Sequence, residues 1–495
     1  MKRIQRSAAL LMPLLLIGCA VGPDFEKPRI ASGAGYAQDA LPLQTADAPG
    51  DAGGAQRFDI GGDIPGQWWA LFQSTQLNEL IDRAFKASPT IAAAQAALAV
   101  ARENMLAQRG AFFPSIGVDA AASRNATPTA SLAPVAANGQ RIYSLFTGEL
   151  TVGYSLDAFG LNRRLVESGS AQADGQRFEL EAAYLALSSN VALAVVNIAS
   201  LREQITLQQQ TINTDAEVLG ILQREYATGE APVDDVLQQQ AMLATARAAL
   251  PPLQKQLALQ RDALAALLGG FPNDKRIDDF DLASLHLPVQ LPVSLPSRLI
   301  EQRPDVLAAE AALHAASAEV GVAIANRLPQ ISLTAALGTS PNAVADAFTP
   351  YNQFFNVVGK IAQPIFQGGA LMHRQRAAQA SLKQASAQYR STVINAFQNV
   401  ADVLHSIQAD ASTLQAAVAA EEAATRSLSL AKDRLRVGET PYLSVLTAQK
   451  TYEAAKMTTV QLRAARLADT VALFQAAGGG WWNRSDALAA TLPSD

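Results

Sequence analysis

From residue 89 onward the chain changes its hydrophobic period twice, and about two hundred residues later it does so again. Pro89 opens a stretch to residue 112 whose apolar positions recur at helical spacing, with the proline at the entry, where a missing N–H costs nothing. After Pro114 the period drops to two. Ile116, Val118 and Ala120 alternate with Ser115, Gly117 and Asp119, the pattern of a half-apolar strand. A return strand follows, in which Leu150, Val152, Tyr154 and Leu156 interleave with Glu149, Thr151, Gly153, Ser155 and Asp157. From about Leu161 helical spacing resumes, with no proline between Val135 and Ala231. The second passage runs the same way: helical spacing over 304–327, then Ile331, Leu333, Ala335 and Leu337 alternating with Ser332, Thr334, Ala336 and Gly338. Phe355, Val357, Gly359 and Ile361 then alternate with Asn356, Val358 and Lys360, and a proline-free helical stretch starts at about Ala370. Residues 123–141 and 339–353, rich in Ala, Ser, Thr, Asn and Pro, read as surface turns.

These passages are copies of one unit. Pro89-Thr90-Ile91-Ala92-Ala93-Ala94-Gln95-Ala96-Ala97-Leu98 matches Pro304-Asp305-Val306-Leu307-Ala308-Ala309-Glu310-Ala311-Ala312-Leu313, and Pro114 matches Pro329 at the same offset. Gly229-Glu230-Ala231-Pro232 matches Gly438-Glu439-Thr440-Pro441, each placing a glycine suited to a left-handed helix end before a proline suited to a helix start. The organisation expected is a first structural repeat over 74–295, with a hairpin at about 114–157 and long helices at about 161–227 and 232–269. A second repeat covers 296–478, with a hairpin at about 329–366 and long helices at about 369–436 and 441–476. Residues 19–73 precede the repeats and 479–495 form a tail. At about 1.5 Å per residue the longest helices are rods of about 100 Å, and a kink is expected at Pro251-Pro252.

Composition narrows the function. Charged residues make up only 17% and aromatics 6%, which suits long helices packed on alanine. The net charge of −5 without a Lys/Arg cluster excludes nucleic acid as a partner. Lys2 and Arg3, the apolar stretch Ala8 to Ile17 and Gly18-Cys19 form a signal peptide over 1–18, and Leu16-Ile17-Gly18-Cys19 resembles the lipobox of bacterial lipoproteins. Cys19 is the expected lipidation site. It is the only cysteine, so an intrachain disulfide and a catalytic thiol elsewhere are excluded. Ala20 follows it, where an aspartate would retain an enterobacterial lipoprotein at the inner membrane. Beyond Cys19 no apolar run of about 18 residues is expected to serve as a transmembrane helix, so a membrane span would be β. His286, His314, His373 and His405 lack ligand spacing, and no phosphate loop, nucleophile elbow or convergent acid–base pair is legible. The expectation is a protein that is not an enzyme and carries no metal or cofactor.

Four strands cannot close a membrane barrel, since single-chain barrels begin at about eight, and an open edge in lipid leaves backbone groups unsatisfied. Several copies must therefore share one barrel, with Leu150, Val152, Tyr154 and Leu156 toward lipid and Thr151, Gly153 and Ser155 toward a lumen. Strand count alone permits dimers, trimers or tetramers. A lipid-anchored periplasmic coiled-coil scaffold or adaptor would explain rods and lipid but not the paired alternating hairpins.

Several further stretches carry a family likeness: Cys19-Ala20-Val21-Gly22-Pro23-Asp24, Gln67-Trp68-Trp69, Leu295-Pro296-Ser297-Arg298-Leu299-Ile300-Glu301-Gln302-Arg303-Pro304-Asp305-Val306, Gln363-Pro364-Ile365-Phe366-Gln367-Gly368-Gly369 and Gly478-Gly479-Gly480-Trp481-Trp482. With these the chain resembles an outer-membrane factor of the TolC-like superfamily, most similar to NodT-type efflux lipoproteins. The resemblance implies a mostly α protein with membrane β: four strands per subunit in a shared twelve-stranded trimeric barrel, above a long periplasmic helical barrel. It implies a homotrimer in outer-membrane lipid, docked onto a periplasmic adaptor (membrane fusion protein) and an inner-membrane pump of the resistance-nodulation-division class. It also implies that the helix-turn tips Thr228, Gly229, Glu230, Val437, Gly438 and Glu439 meet the adaptor. Asp234 and Asp235 then line the periplasmic aperture, with Ser444 and Thr447 where the best-known member carries aspartates. That departure weakens the case for a cation-binding double aspartate ring.

Overall fold

The computed structural model describes residues 20–28, 36, 42–128, 141–273 and 280–484. In chain order its elements are β1 (Arg57–Ile60), α1 (Thr75–Ala87), α2 (Pro89–Arg109), β2 (Ser115–Ala126), β3 (Ile142–Leu156), α3 (Leu161–Thr228), α4 (Val233–Leu267), β4 (Gln290–Val293), α5 (Pro296–Gln302), α6 (Pro304–Ala325), β5 (Gln330–Thr339), β6 (Gln353–Ala362), α7 (Ala370–Arg436) and α8 (Tyr442–Ala476). They fall into two units. One holds residues 20–28 with Ala97–Gln176 and Ala309–Tyr389; the other holds the described parts of Arg29–Ala96, Arg177–Ala308 and Arg390–Asp495.

The first unit contains a four-stranded antiparallel sheet in the order β2-β3-β5-β6. Its register sets Ile116 against Val152, Val118 against Leu150, Leu150 against Leu337 and Leu337 against Phe355. Paired residues share a face, so the separate apolar alternations of four strands merge into one apolar surface; a one-residue slip anywhere would break it. Ile116, Val118, Leu150, Leu333, Leu337, Phe355, Val357 and Ile361 on that surface are all exposed. The opposite face carries Ser115, Gly117, Asp119, Thr151, Gly153, Ser332, Thr334 and Lys360. The strands do not close on themselves, and β2 and β6 each pair on one side only.

Residues 20–28 lie in the same unit as a strap. Val21 donates its N–H to the Phe159 carbonyl at 3.2 Å, and the buried Arg164 donates to the Val21 carbonyl, to Asp24 and to Glu167. Gly22 has φ +101°, and a Cβ there would lie 2.5 Å from the Cα of Gly321, so strap and α6 cross where both chains lack side chains. Phe25 stacks on His314 at 4.4 Å, and the His314 ring is hydrogen-bonded to Glu167.

The second unit pairs β1 with β4 in parallel and packs Trp68 flat against Phe474, with Trp69 and Phe72 on its edges. Here the lower part of α3 packs on α4 through Ile212, Leu243 and Ala246. Helix α4 is continuous past Pro251 and Pro252, so the loss of two N–H donors interrupts its ladder without ending it.

Among the described residues two helices, α3 and α6, are long and apolar enough by length and composition to cross a membrane, which corrects the expectation of no such run after Cys19. In α3 the apolar stretch is 61% buried, and Val191, Val195 and Ile198 are core residues. Ser188 and Ser189 punctuate this run in the sequence, yet both are buried, and the Ser188 hydroxyl is satisfied by the Leu185 carbonyl.

Candidate functional site

Both long helices end in the same turn. Gly229 takes φ +80° after α3, and the Glu230 N–H reaches back to the Glu225 carbonyl at 2.8 Å. Gly438 takes φ +79° after α7, and the Glu439 N–H reaches the Arg434 carbonyl at 2.9 Å. This six-to-one closure is a Schellman cap, and glycine is required by the positive φ alone, since nothing lies within 4 Å of either missing Cβ. Pro232 and Pro441 then start α4 and α8 from extended backbone. Thr228, Gly229, Glu230, Val437, Gly438 and Glu439 are all exposed.

Asp234 and Asp235 occupy the first turn of α4, where the helix dipole favours a carboxylate; Asp234 is exposed and Asp235 half-buried. After the second helix turn, in the first turn of α8, Ser444 is half-buried and bonds its N–H to the Pro441 carbonyl. Thr447 is exposed and spends its hydroxyl on the Leu443 carbonyl at 2.9 Å. Neither residue brings charge.

The structure adds a link between the α3–α4 helix pair and α8. Tyr442, the first residue of α8, donates its hydroxyl to the Gln239 side-chain oxygen, and the fully buried Gln239 amide donates to the carbonyl and carboxylate of Asp215 at 2.9 and 3.2 Å. Burial pushes the Asp215 carboxyl up, with the Gln239 bond working against it. Burial also raises the Tyr442 hydroxyl, and the carboxylates of Asp215, Asp235 and Glu225 add to this. The hint in the sequence is a glutamine at a core position of α4, which must find polar partners when buried. What partners it finds is not local information, since Gln239 and Tyr442 are 203 residues apart.

Beside this link, α3, α4, α7 and α8 enclose a cleft of about 620 Å³ lined by Thr211, Asp215, Met242, Lys432 and Glu453 among others. Burial raises the Glu453 carboxyl, opposed by hydrogen bonds from Gln449 and Thr211. Among the described residues no group of three or more His, Cys, Asp or Glu side chains could hold a metal ion. Residues 1–18, where a signal peptide is expected, and Cys19, the expected lipidation site, lie outside the described residues, which begin at Ala20.

Against this geometry, the sequence profile of the outer membrane efflux protein family matches residues 80–270 and 295–479. The pyoverdine export outer membrane protein OpmQ of Pseudomonas aeruginosa is 30% identical over 425 residues, 86% of this chain and 89% of its own length. The toluene efflux pump outer membrane protein TtgF of Pseudomonas putida is 30% identical over 485 residues, 96% and 97% of the two chains. Among solved structures the outer-membrane channel OprN superposes with a TM-score of 0.82 at 25% identity, covering 94% of this chain and 100% of OprN.

Proposed function

This chain belongs to the outer membrane efflux protein family, a family of outer-membrane efflux channels, which are transporters; on that premise we propose that it is one of three subunits sharing a single export conduit. The observation that carries this reading is the sheet: four antiparallel strands, one continuous exposed apolar face, and two unpaired edges. Water penalises that face and lipid penalises those edges. Both penalties vanish when β6 of one copy pairs with β2 of the next and the ring closes in a bilayer. Three copies of four strands make a twelve-stranded barrel, with Asp119, Thr151, Ser332 and Lys360 facing the lumen.

The duplicated halves 74–295 and 296–478 each supply one hairpin to the barrel and one pair of helices to a periplasmic wall. The exposed caps Thr228-Gly229-Glu230 and Val437-Gly438-Glu439 are the surfaces that meet an adaptor, and through it an inner-membrane pump of the resistance-nodulation-division class. Asp234 and Asp235 line the aperture, and Ser444 and Thr447 complete it without charge. Cys19, once acylated, holds the strap at the outer membrane. The conduit is passive: it has no energy source of its own and opens when its partners dock.

The deciding experiment is single-channel conductance of the purified chain in planar bilayers, with its mass in detergent measured alongside. A small, stable conductance from a trimer supports the reading. A monomer without conductance overturns it and favours a lipid-anchored periplasmic scaffold.

A further inference from the structure

The cleft enclosed by α3, α4, α7 and α8 holds two carboxyl groups and no counter-charge in contact with them. Asp215 is 2% exposed, yet it lines the cleft. Its Oδ1 accepts from the Gln239 amide at 3.2 Å, and its Oδ2 accepts from no described residue. Thr211, one helical turn before Asp215, hydrogen-bonds Glu453 on α8, and the Asp215 charge is near enough to raise the Glu453 carboxyl. Glu453 also accepts from the buried Gln449 at 3.0 Å. A carboxylate withdrawn from water needs a full set of donors or an opposite charge, and Asp215 has a single amide.

The rest of the lining is apolar inside and cationic at the rim. Leu207, Met242, Leu428 and Met457 supply the walls, and thioethers on flexible chains adapt to a guest of irregular shape. Lys432 and Lys450 are exposed, and the Lys456 ammonium lies 5.7 Å from the centre of the Tyr452 ring. None of these lysines forms an ion pair with Asp215 or Glu453. They stand in water, where salt screens their repulsion of a cation, while the carboxyl groups act in the drier interior. The volume of about 620 Å³ falls in the range of small-molecule sites.

We propose that this cleft binds an organic amine with an apolar body, its ammonium seated between Asp215 and Glu453 and donating to Asp215 Oδ2, its body against Met242 and Met457. A bare metal ion does not fit, because among the described residues no third His, Cys, Asp or Glu joins the pair. An ammonium needs fewer acceptors, brings apolar surface of its own and favours the charged form of both carboxyl groups. Because Asp215 also accepts from the Gln239 amide whose oxygen takes the Tyr442 hydroxyl, the guest sits on the link that ties α3, α4 and α8.

The test is equilibrium binding of dansylcadaverine, a dansyl ring on a primary amine, to the full chain in lipid nanodiscs, read by dansyl emission. Its N-acetyl derivative keeps the apolar body and loses the charge, so it reports partition into lipid and apolar surface. The parent is expected to bind the amine about tenfold more tightly than the derivative, and Asp215→Asn and Glu453→Gln to lose that preference. Asp215→Asn keeps an oxygen for Gln239, and Glu453→Gln reads the same seat should the Asp215 variant fail to fold. Equal binding of amine and derivative by the parent overturns the site. An amine preference that survives in either folded variant also overturns it, since the cation would then lie elsewhere, and so does emission no greater than that of empty nanodiscs.

Discussion

Tyr442 donates its hydroxyl to the side-chain oxygen of Gln239 across 3.3 Å, and through this bond the first turn of α8 is held to α4. Because Gln239 also grips Asp215 on α3, three helices near the turns are tied through one buried amide. Tyr442→Phe removes the hydroxyl with little change in volume and costs about 1 kcal/mol of stability, the usual worth of such a bond. If the link helps hold the aperture shut, leak conductance in planar bilayers rises in the variant; a conductance equal to that of the parent channel refutes this.

Asp235 sits one turn from that link and is among the charges that raise the Tyr442 hydroxyl. Asp234→Ala and Asp235→Ala remove carboxylates proposed to line the constriction. Leak conductance rises in at least one of them. If both variants conduct as the parent does, the two aspartates are solvated residues at a helix N-terminus, where their charge merely complements the dipole.

Asp469 on α8 and Asp410 on α7 meet carboxyl to carboxyl. Burial, and then the charge and hydrogen bond of Asp410, push Asp469 up to about 7 against the opposing charge of Arg466. An unfolded aspartate titrates near 3.8, so between 3.8 and about 7 the folded chain keeps a proton that the unfolded chain has lost. The stability from this pair is complete at acid pH and is lost as pH rises through about 7. Thermal melts should show Tm of the parent falling over this window while Asp469→Asn, which keeps a hydrogen-bond donor without titrating, falls less. Parallel curves would exclude the shared proton.

Arg466, 1% exposed, donates to the carbonyls of Ala52, Gly53 and Gly54 and to the side chains of Thr45 and Gln56, with Asp47, Asp410 and Asp469 supplying the charge around it. Arg466→Met deprives those acceptors together and is expected to destabilise by about 3–5 kcal/mol, the range for breaking a buried charged network. The loop 45–56 becomes the first site of limited proteolysis. Arg466→Lys recovers little of this, because an ammonium cannot reproduce the guanidinium fork. An unchanged cleavage pattern in Arg466→Met would show that the loop is held by other contacts, such as Ala48 packed against Leu414 and Val418.

The alternation read at Ile116 to Ala120 and Leu150 to Leu156 falls on β2 and β3, and the Gly-Glu-x-Pro turns are the helix caps, with Gly229 and Gly438 at φ +80° and +79°. Such features are legible because they are local: a period of two or 3.6 is written in consecutive residues, and a positive φ selects glycine wherever the turn sits. Duplication was legible for the same reason, as one local pattern written twice. The tertiary structure alone decided that β3 pairs with β5, so that the two hairpins make one sheet with one apolar face. It also decided which groups satisfy the buried Gln239, Asp215 and Arg466, and that the apolar window of α3 lies largely in a core. A buried polar group must be paired, and a sequence can state that requirement. Which partner meets it depends on how helices and strands hundreds of residues apart come to pack, and that is settled only when the chain has folded.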